Sequence, residues 1–119
     1  MKDKREHDLD VLEAIEDIQD KECLYNTVNR KKFVEHEHVV GVLLEEISEA
    51  REGLEEIESL FLEYVSMVRN NCSTRDLNNK LLTIKLESTH CMQELCQVGS
   101  ICTKARLQLG GCSLYGDEK

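Results

Sequence analysis

The chain has 119 residues, 40% of them hydrophobic, 4% aromatic and 33% charged, with six Gly and neither Pro nor Trp, which fits a single domain and excludes a multidomain machine. Its 24 acidic residues against 15 Lys and Arg give a formal net charge of -9, and so acidic a surface repels phosphate backbones and anionic membranes. No nucleic-acid and no membrane partner is therefore expected. No apolar run reaches the roughly 18 residues of a membrane helix, and Met1-Lys2-Asp3-Lys4-Arg5-Glu6 has no apolar stretch of the secretory kind, so the expectation is a soluble, cytoplasmic protein.

Taken in chain order, the absence of Pro and the wealth of Glu, Leu and Lys favour helix throughout. The first helix is expected from about Asp8 to about Tyr25, with Val11, Leu12, Ile15 and Ile18 as a modest apolar face. Asn26-Thr27-Val28-Asn29-Arg30-Lys31-Lys32 reads as a basic connector, because Asn and Thr favour turns and caps. His36-Glu37-His38 puts its histidines on different helix faces and reads as the polar start of a helix rather than a zinc site.

The second segment carries the clearest periodicity, with Val40, Leu43, Ile47, Ala50, Leu54, Ile57, Phe61, Tyr64 and Val68 at alternating steps of three and four. That is a heptad seam. The third segment repeats it with Leu77, Leu81, Ile84, Ser88, Cys91, Leu95, Val98, Cys102, Ala105 and Leu109. Between them, Asn70-Asn71-Cys72-Ser73-Thr74-Arg75-Asp76 ends one helix and caps the next, and Gly110-Gly111 closes the third before a frayed tail over about 112–119. A short polar loop between two long helices predicts an antiparallel hairpin. One register gives every seam residue of the second segment a partner on the third, from Val68 opposite Leu77, through Leu54 opposite Cys91 and Ile47 opposite Val98, to Val40 opposite Ala105.

Leu44, Leu60, Leu62, Val65, Leu82, Leu86, Met92 and Ile101 lie off that seam. The shorter first helix can cover only part of them, so the fold expected is an all-α bundle of hairpin and N-terminal helix, completed by homodimer or homotetramer formation. Six cysteines without a Cys-x-x-Cys pair or a secretory leader read as reduced packing thiols.

The residues that could carry chemistry are acidic. Glu46 and Glu49 stand one turn apart on one helix face, and the register brings Glu94 and Gln97 to the same flank and layer. Three carboxylates and an amide oxygen form a hard-oxygen set suited to Mg2+ or Mn2+, with substrate phosphates completing the shell. The competing reading is a solvated acidic flank, of which Glu55, Glu56, Glu58 and Glu63 are examples. Glu56, Glu87 and His90 continue the polar face, and Glu56 and His90 are candidates for contact with a bound nucleotide.

Leu43-Leu44-Glu45-Glu46-Ile47-Ser48-Glu49-Ala50 resembles the Glu-Glu-x-x-Glu helix of the MazG-like all-α nucleotide pyrophosphohydrolases. Glu94-Leu95-Cys96-Gln97-Val98 resembles their Glu-x-x-Asp helix, with Gln in place of Asp, and the run from Gln93 to Cys102 is similar to a helix of small phage and prophage members. The resemblance spans about residues 36 to 106 and rests on these two motifs, with a longer gap between them than the family usually has. It implies a Mg2+- or Mn2+-dependent enzyme that cuts a nucleoside triphosphate to the monophosphate and pyrophosphate. In that reading Glu46, Glu49 and Glu94 are metal ligands, Gln97 occupies the fourth ligand position and Glu45 is a supporting catalytic acid or base. A binding-only protein that sequesters a nucleotide, or an acidic helical protein that docks on a host factor, would fit the same composition.

Overall fold

The computed structural model describes residues 3–110. It contains three helices, α1 (Lys4–Asn29), α2 (His36–Arg69) and α3 (Thr74–Leu109), and no strand among the described residues, so the all-α expectation holds. The opening Met1-Lys2, Gly111 and the tail containing Cys112 lie outside the described residues. Two compact units divide the chain, one of residues 1–45 with 96–119 and one of residues 46–95.

In the first unit α1 runs four residues further at each end than its apolar pattern indicates. Asp3 caps its start by accepting from the Glu6 amide at 2.9 Å. At the other end, the residues read as turn formers are bonded in ways that keep the helix. Thr27 Oγ1 donates to the Cys23 carbonyl at 2.8 Å, Asn29 Nδ2 donates to the Tyr25 carbonyl at 3.0 Å, and Asn26 Nδ2 donates to Ser100 Oγ on α3 at 3.3 Å. Asn26 is therefore a buried helix residue rather than a connector. The expected apolar face of α1 is displaced as well: Val11, Leu12 and Ile18 are exposed, Ile15 is half-buried, and the inward residues are Cys23 and Asn26. Its approach to α3 is a polar one, with the Gln19 amide lying over Gly99 in space that a Cβ would occupy.

The apolar core of this unit is Phe33, Val39, Ile101 and Ala105, with Val42, Leu43 and Leu109 packed against it. Phe33 comes from the segment between α1 and α2, and its amide donates to Gln108 Oε1 at 2.7 Å. Ile101, expected off the seam, is thus a core residue.

The second unit joins residues 46–69 of α2 to residues 74–95 of α3. The link is made by hydrogen bonds that the sequence dictates. Asn71 has φ 54°, the Cys72 amide donates to the Met67 carbonyl at 3.1 Å and the Asn71 amide donates to the Val68 carbonyl at 3.2 Å, which is a Schellman closure with Asn in the left-handed position. Ser73 Oγ then accepts from the Asp76 amide at 3.1 Å and starts α3.

Small residues set the closest approach of the two helices. A Cβ built on Gly53 would stand 3.3 Å from both Cβ and Sγ of Cys91, and Cys91 Sγ is 3.6 Å from the Ala50 carbonyl. Cys91 thus meets Gly53, while Leu54, its expected partner, is 55% exposed. The inward face follows from that layer: Ala50, Gly53, Ile57, Leu60, Tyr64 and Met67 on α2, and Leu77, Lys80, Ile84, Cys91 and Glu94 on α3 are buried or half-buried. Part of the expected seam is accordingly outside, since Ile47, Leu54, Phe61 and Val68 on α2 and Leu81 and Leu95 on α3 are exposed, as are Val40 and Cys102 in the first unit. Leu60, expected outside, is 8% exposed. Lys80 Nζ and Glu63 Oε2 pair at 2.9 Å beside the Tyr64 layer.

The Gly53–Cys91 layer has no room for a larger side chain. Cys91→Leu should lower the unfolding free energy by about 1–3 kcal/mol in urea titrations.

Candidate functional site

The acidic residues singled out from the sequence divide by exposure. Glu49 and Glu56 are exposed in the second unit, where Glu46, Glu87 and Glu94 are half-buried. Glu46 Oε2 is shielded from solvent, and the Glu94 side chain is 13% exposed. His90 is exposed and places Nδ1 3.4 Å from Glu94 Oε1 and 3.8 Å from Glu87 Oε1. This triplet arises from helix geometry, because residues three and four apart share a face. Glu45 and Gln97 belong to the first unit, Glu45 exposed and Gln97 half-buried with its backbone carbonyl accepting from Ser100 Oγ at 2.8 Å.

The donor chemistry of Glu46, Glu49 and Glu94 suits a hard divalent cation. Among the described residues no three His, Cys, Asp or Glu side chains form a group that could hold a metal ion. His36 and His38 likewise form no such group; His36 opens α2, and His38 packs edge-on to Phe33 with ring centroids 5.2 Å apart.

A second feature was not singled out from the sequence. In the first unit a cavity of about 170 Å³ is lined by Asn26, Arg30, Lys31, Phe33, His38, Val42, Ile101 and Lys104. Lys104 is 2% exposed and donates from Nζ to the Lys31 carbonyl at 2.7 Å and the Asn26 carbonyl at 3.2 Å, with Nζ 4.6 Å from the centre of the Phe33 ring. Burial, and then the nearby Arg30 charge, hold its pKa below the usual lysine value, opposed by a Cys23 contribution that raises it. The signals that point here are the Arg30-Lys31-Lys32 run in a chain of charge -9 and a lysine between the core residues Ile101 and Ala105.

Cys23, Cys91 and Cys96 are buried free thiols, as their packing role requires, while Cys72 is half-buried and Cys102 exposed. Burial, reinforced by the Glu22 charge, pushes the Cys96 thiol above its ordinary value. No helix among the described residues is long and apolar enough to cross a membrane.

The raised Cys96 pKa means that the folded chain keeps this proton at a pH where the unfolded chain releases it. Its contribution to stability is complete below the ordinary thiol value of 9.0 and is lost as pH rises from there through the folded value. Lys104 has the opposite sign, because its folded pKa is lowered, and it is common to both chains of the comparison. Denaturant midpoints followed from neutrality into the alkaline range should therefore fall more steeply in the wild type than in Cys96→Ala.

Comparison of the chain with family models, with curated proteins and with solved structures finds no match.

Proposed function

We propose that the chain is a nucleotide-binding helical protein of the MazG-like kind, with Mg2+- or Mn2+-dependent cleavage of a nucleoside triphosphate to monophosphate and pyrophosphate as its chemistry. The observation that supports this reading is the uneven burial of the acids. Glu52, Glu55, Glu56, Glu58 and Glu63 stand in solvent, whereas Glu46 and Glu94, one from each motif, are drawn inward. Carboxylates held away from water favour a cation that offsets their charge. Such an ion would supply Lewis-acid polarisation of a phosphate oxygen. Glu46 and Glu94 offer oxygens from the inward faces of α2 and α3, Glu49 from one turn beyond Glu46, and His90 orients the Glu94 carboxylate.

Thermal melts with each cation, alone and with nucleoside triphosphates, test the reading when pyrophosphate release is followed in parallel. Mn2+ or Mg2+ should raise the melting temperature, Glu49→Gln should remove most of that rise, and Glu56→Gln should leave it intact. A chain whose melting temperature responds to neither cation nor any nucleotide, and which releases no pyrophosphate, has a solvated acidic flank instead.

A second reading is supported by the exposed apolar rows. Ile47, Leu54, Phe61 and Val68 follow one flank of α2, and Leu81 and Leu95 follow the matching flank of α3. If the two helices run antiparallel along their length, those flanks adjoin on one side and form a surface that a second copy of the chain would cover. Light scattering at micromolar concentration should give at least a dimer. Leu54→Glu with Phe61→Glu should reduce it to a monomer with its helical circular dichroism preserved, and a monomeric wild type would rule the reading out.

A further inference from the structure

We propose that the cavity of the first unit is a binding site for a phosphate group. Its walls carry Arg30, Lys31 and Lys104, with His38 and the Asn26 amide, and no carboxylate, in a chain whose formal net charge is -9. Concentrating cationic side chains in one concave place against that net charge creates a local field that attracts an anion.

Lys104 carries the argument. A lysine ammonium has three N–H donors, and among the described residues two of them reach acceptors, the Asn26 and Lys31 carbonyls. No ion pair of Lys104 occurs among the described residues, although the side chain is almost wholly buried. A buried ammonium is destabilising unless its charge is compensated. The Asn26 and Lys31 carbonyls and the Phe33 ring compensate part of it, and an anion in the adjoining space would supply the rest. Arg30 and Lys31, both exposed, stand at the same wall and would close on the anion from solvent. His38, which lines the cavity, lies in the first turn of α2.

Size restricts the ligand. Pockets that enclose whole organic ligands run to roughly 300–1,000 Å³, and this one holds about 170 Å³, the volume of about five or six waters. A phosphate group fits, and a whole nucleotide does not. Phosphate can come from free inorganic phosphate or from the terminal group of a nucleotide whose remainder stays outside. The inference concerns residues separate from Glu46, Glu49 and Glu94, so either can fail without the other.

The test is a melt of the full chain in inorganic phosphate, in a nucleoside monophosphate and in sodium chloride at matched ionic strength, with isothermal titration of the same anions. Phosphate should raise the melting temperature by about 4 °C or more beyond chloride. Arg30→Gln and Lys31→Gln, at exposed positions that leave the core untouched, should each weaken phosphate binding by about tenfold. Lys104→Met should abolish it; if that variant does not fold, the two exposed variants decide. Response to the nucleoside monophosphate alone would assign the phosphate to a nucleotide. Equal stabilisation by phosphate and chloride, or full phosphate binding in both Arg30→Gln and Lys31→Gln, would overturn the proposal.

Discussion

One ammonium fastens the first unit. Lys104 reaches from α3 to the Asn26 carbonyl in the last turn of α1 and to the Lys31 carbonyl beyond it, and the Phe33 ring lies against the same charge. A helix end leaves carbonyls that need donors, and an apolar residue at position 104 would leave the Lys31 oxygen without that donor and the Asn26 oxygen with the Arg30 amide. The same contact fixes where the chain turns after Asn29, and so where Phe33 enters the core beside Val39, Ile101 and Ala105. The core is small, with one aromatic ring, and hydrogen bonds through Asn26, Ser100 and Gln108 supply much of its specificity.

The second unit is held by a different means. Gly53, Ala50 and Cys91 allow backbone to approach backbone, and dispersion contact at that distance favours the inward face they define over the larger stripe beside it. Leu54 and Phe61 are bulkier than the residues that won, and their bulk keeps them outside. An apolar periodicity identifies a stripe wider than one helix partner can cover, and close packing decides which edge of the stripe is used.

Much of this was legible in the residues themselves. The three helices, the Asn70–Asp76 junction and the helix end at Gly110 follow from composition, capping and turn chemistry. The contact of Gly53 with Cys91 is not legible in the seam, because seam patterns weigh hydrophobicity and the missing Cβ of a glycine has none. The extent of α1 was misjudged because Asn26, Thr27 and Asn29 are turn formers only while their side chains are free to bond locally. Here they bond to Ser100 and to helix carbonyls. The acidic candidates Glu46 and Glu94 are visible as motif positions, and their half-burial separates them from the exposed Glu52, Glu55, Glu56, Glu58 and Glu63, a distinction that sequence alone cannot make. The cationic cavity was hidden because its members, Arg30, Lys31, His38 and Lys104, are dispersed along the chain and meet only through folding.

The buried thiols give each unit its own reporter. Cys23 and Cys96 lie inside the first unit and Cys91 inside the second, while Cys72 and Cys102 are accessible to differing degrees. A thiol reagent added to the native chain meets the accessible pair at once and must wait for an opening fluctuation to reach the others. The labelling rate at Cys91 thus measures how often the Gly53 contact parts, and the rates at Cys23 and Cys96 measure how often α1 lifts from α3. Natural cysteine placement therefore allows the local opening free energies of the two units to be read separately, without introducing a single foreign residue.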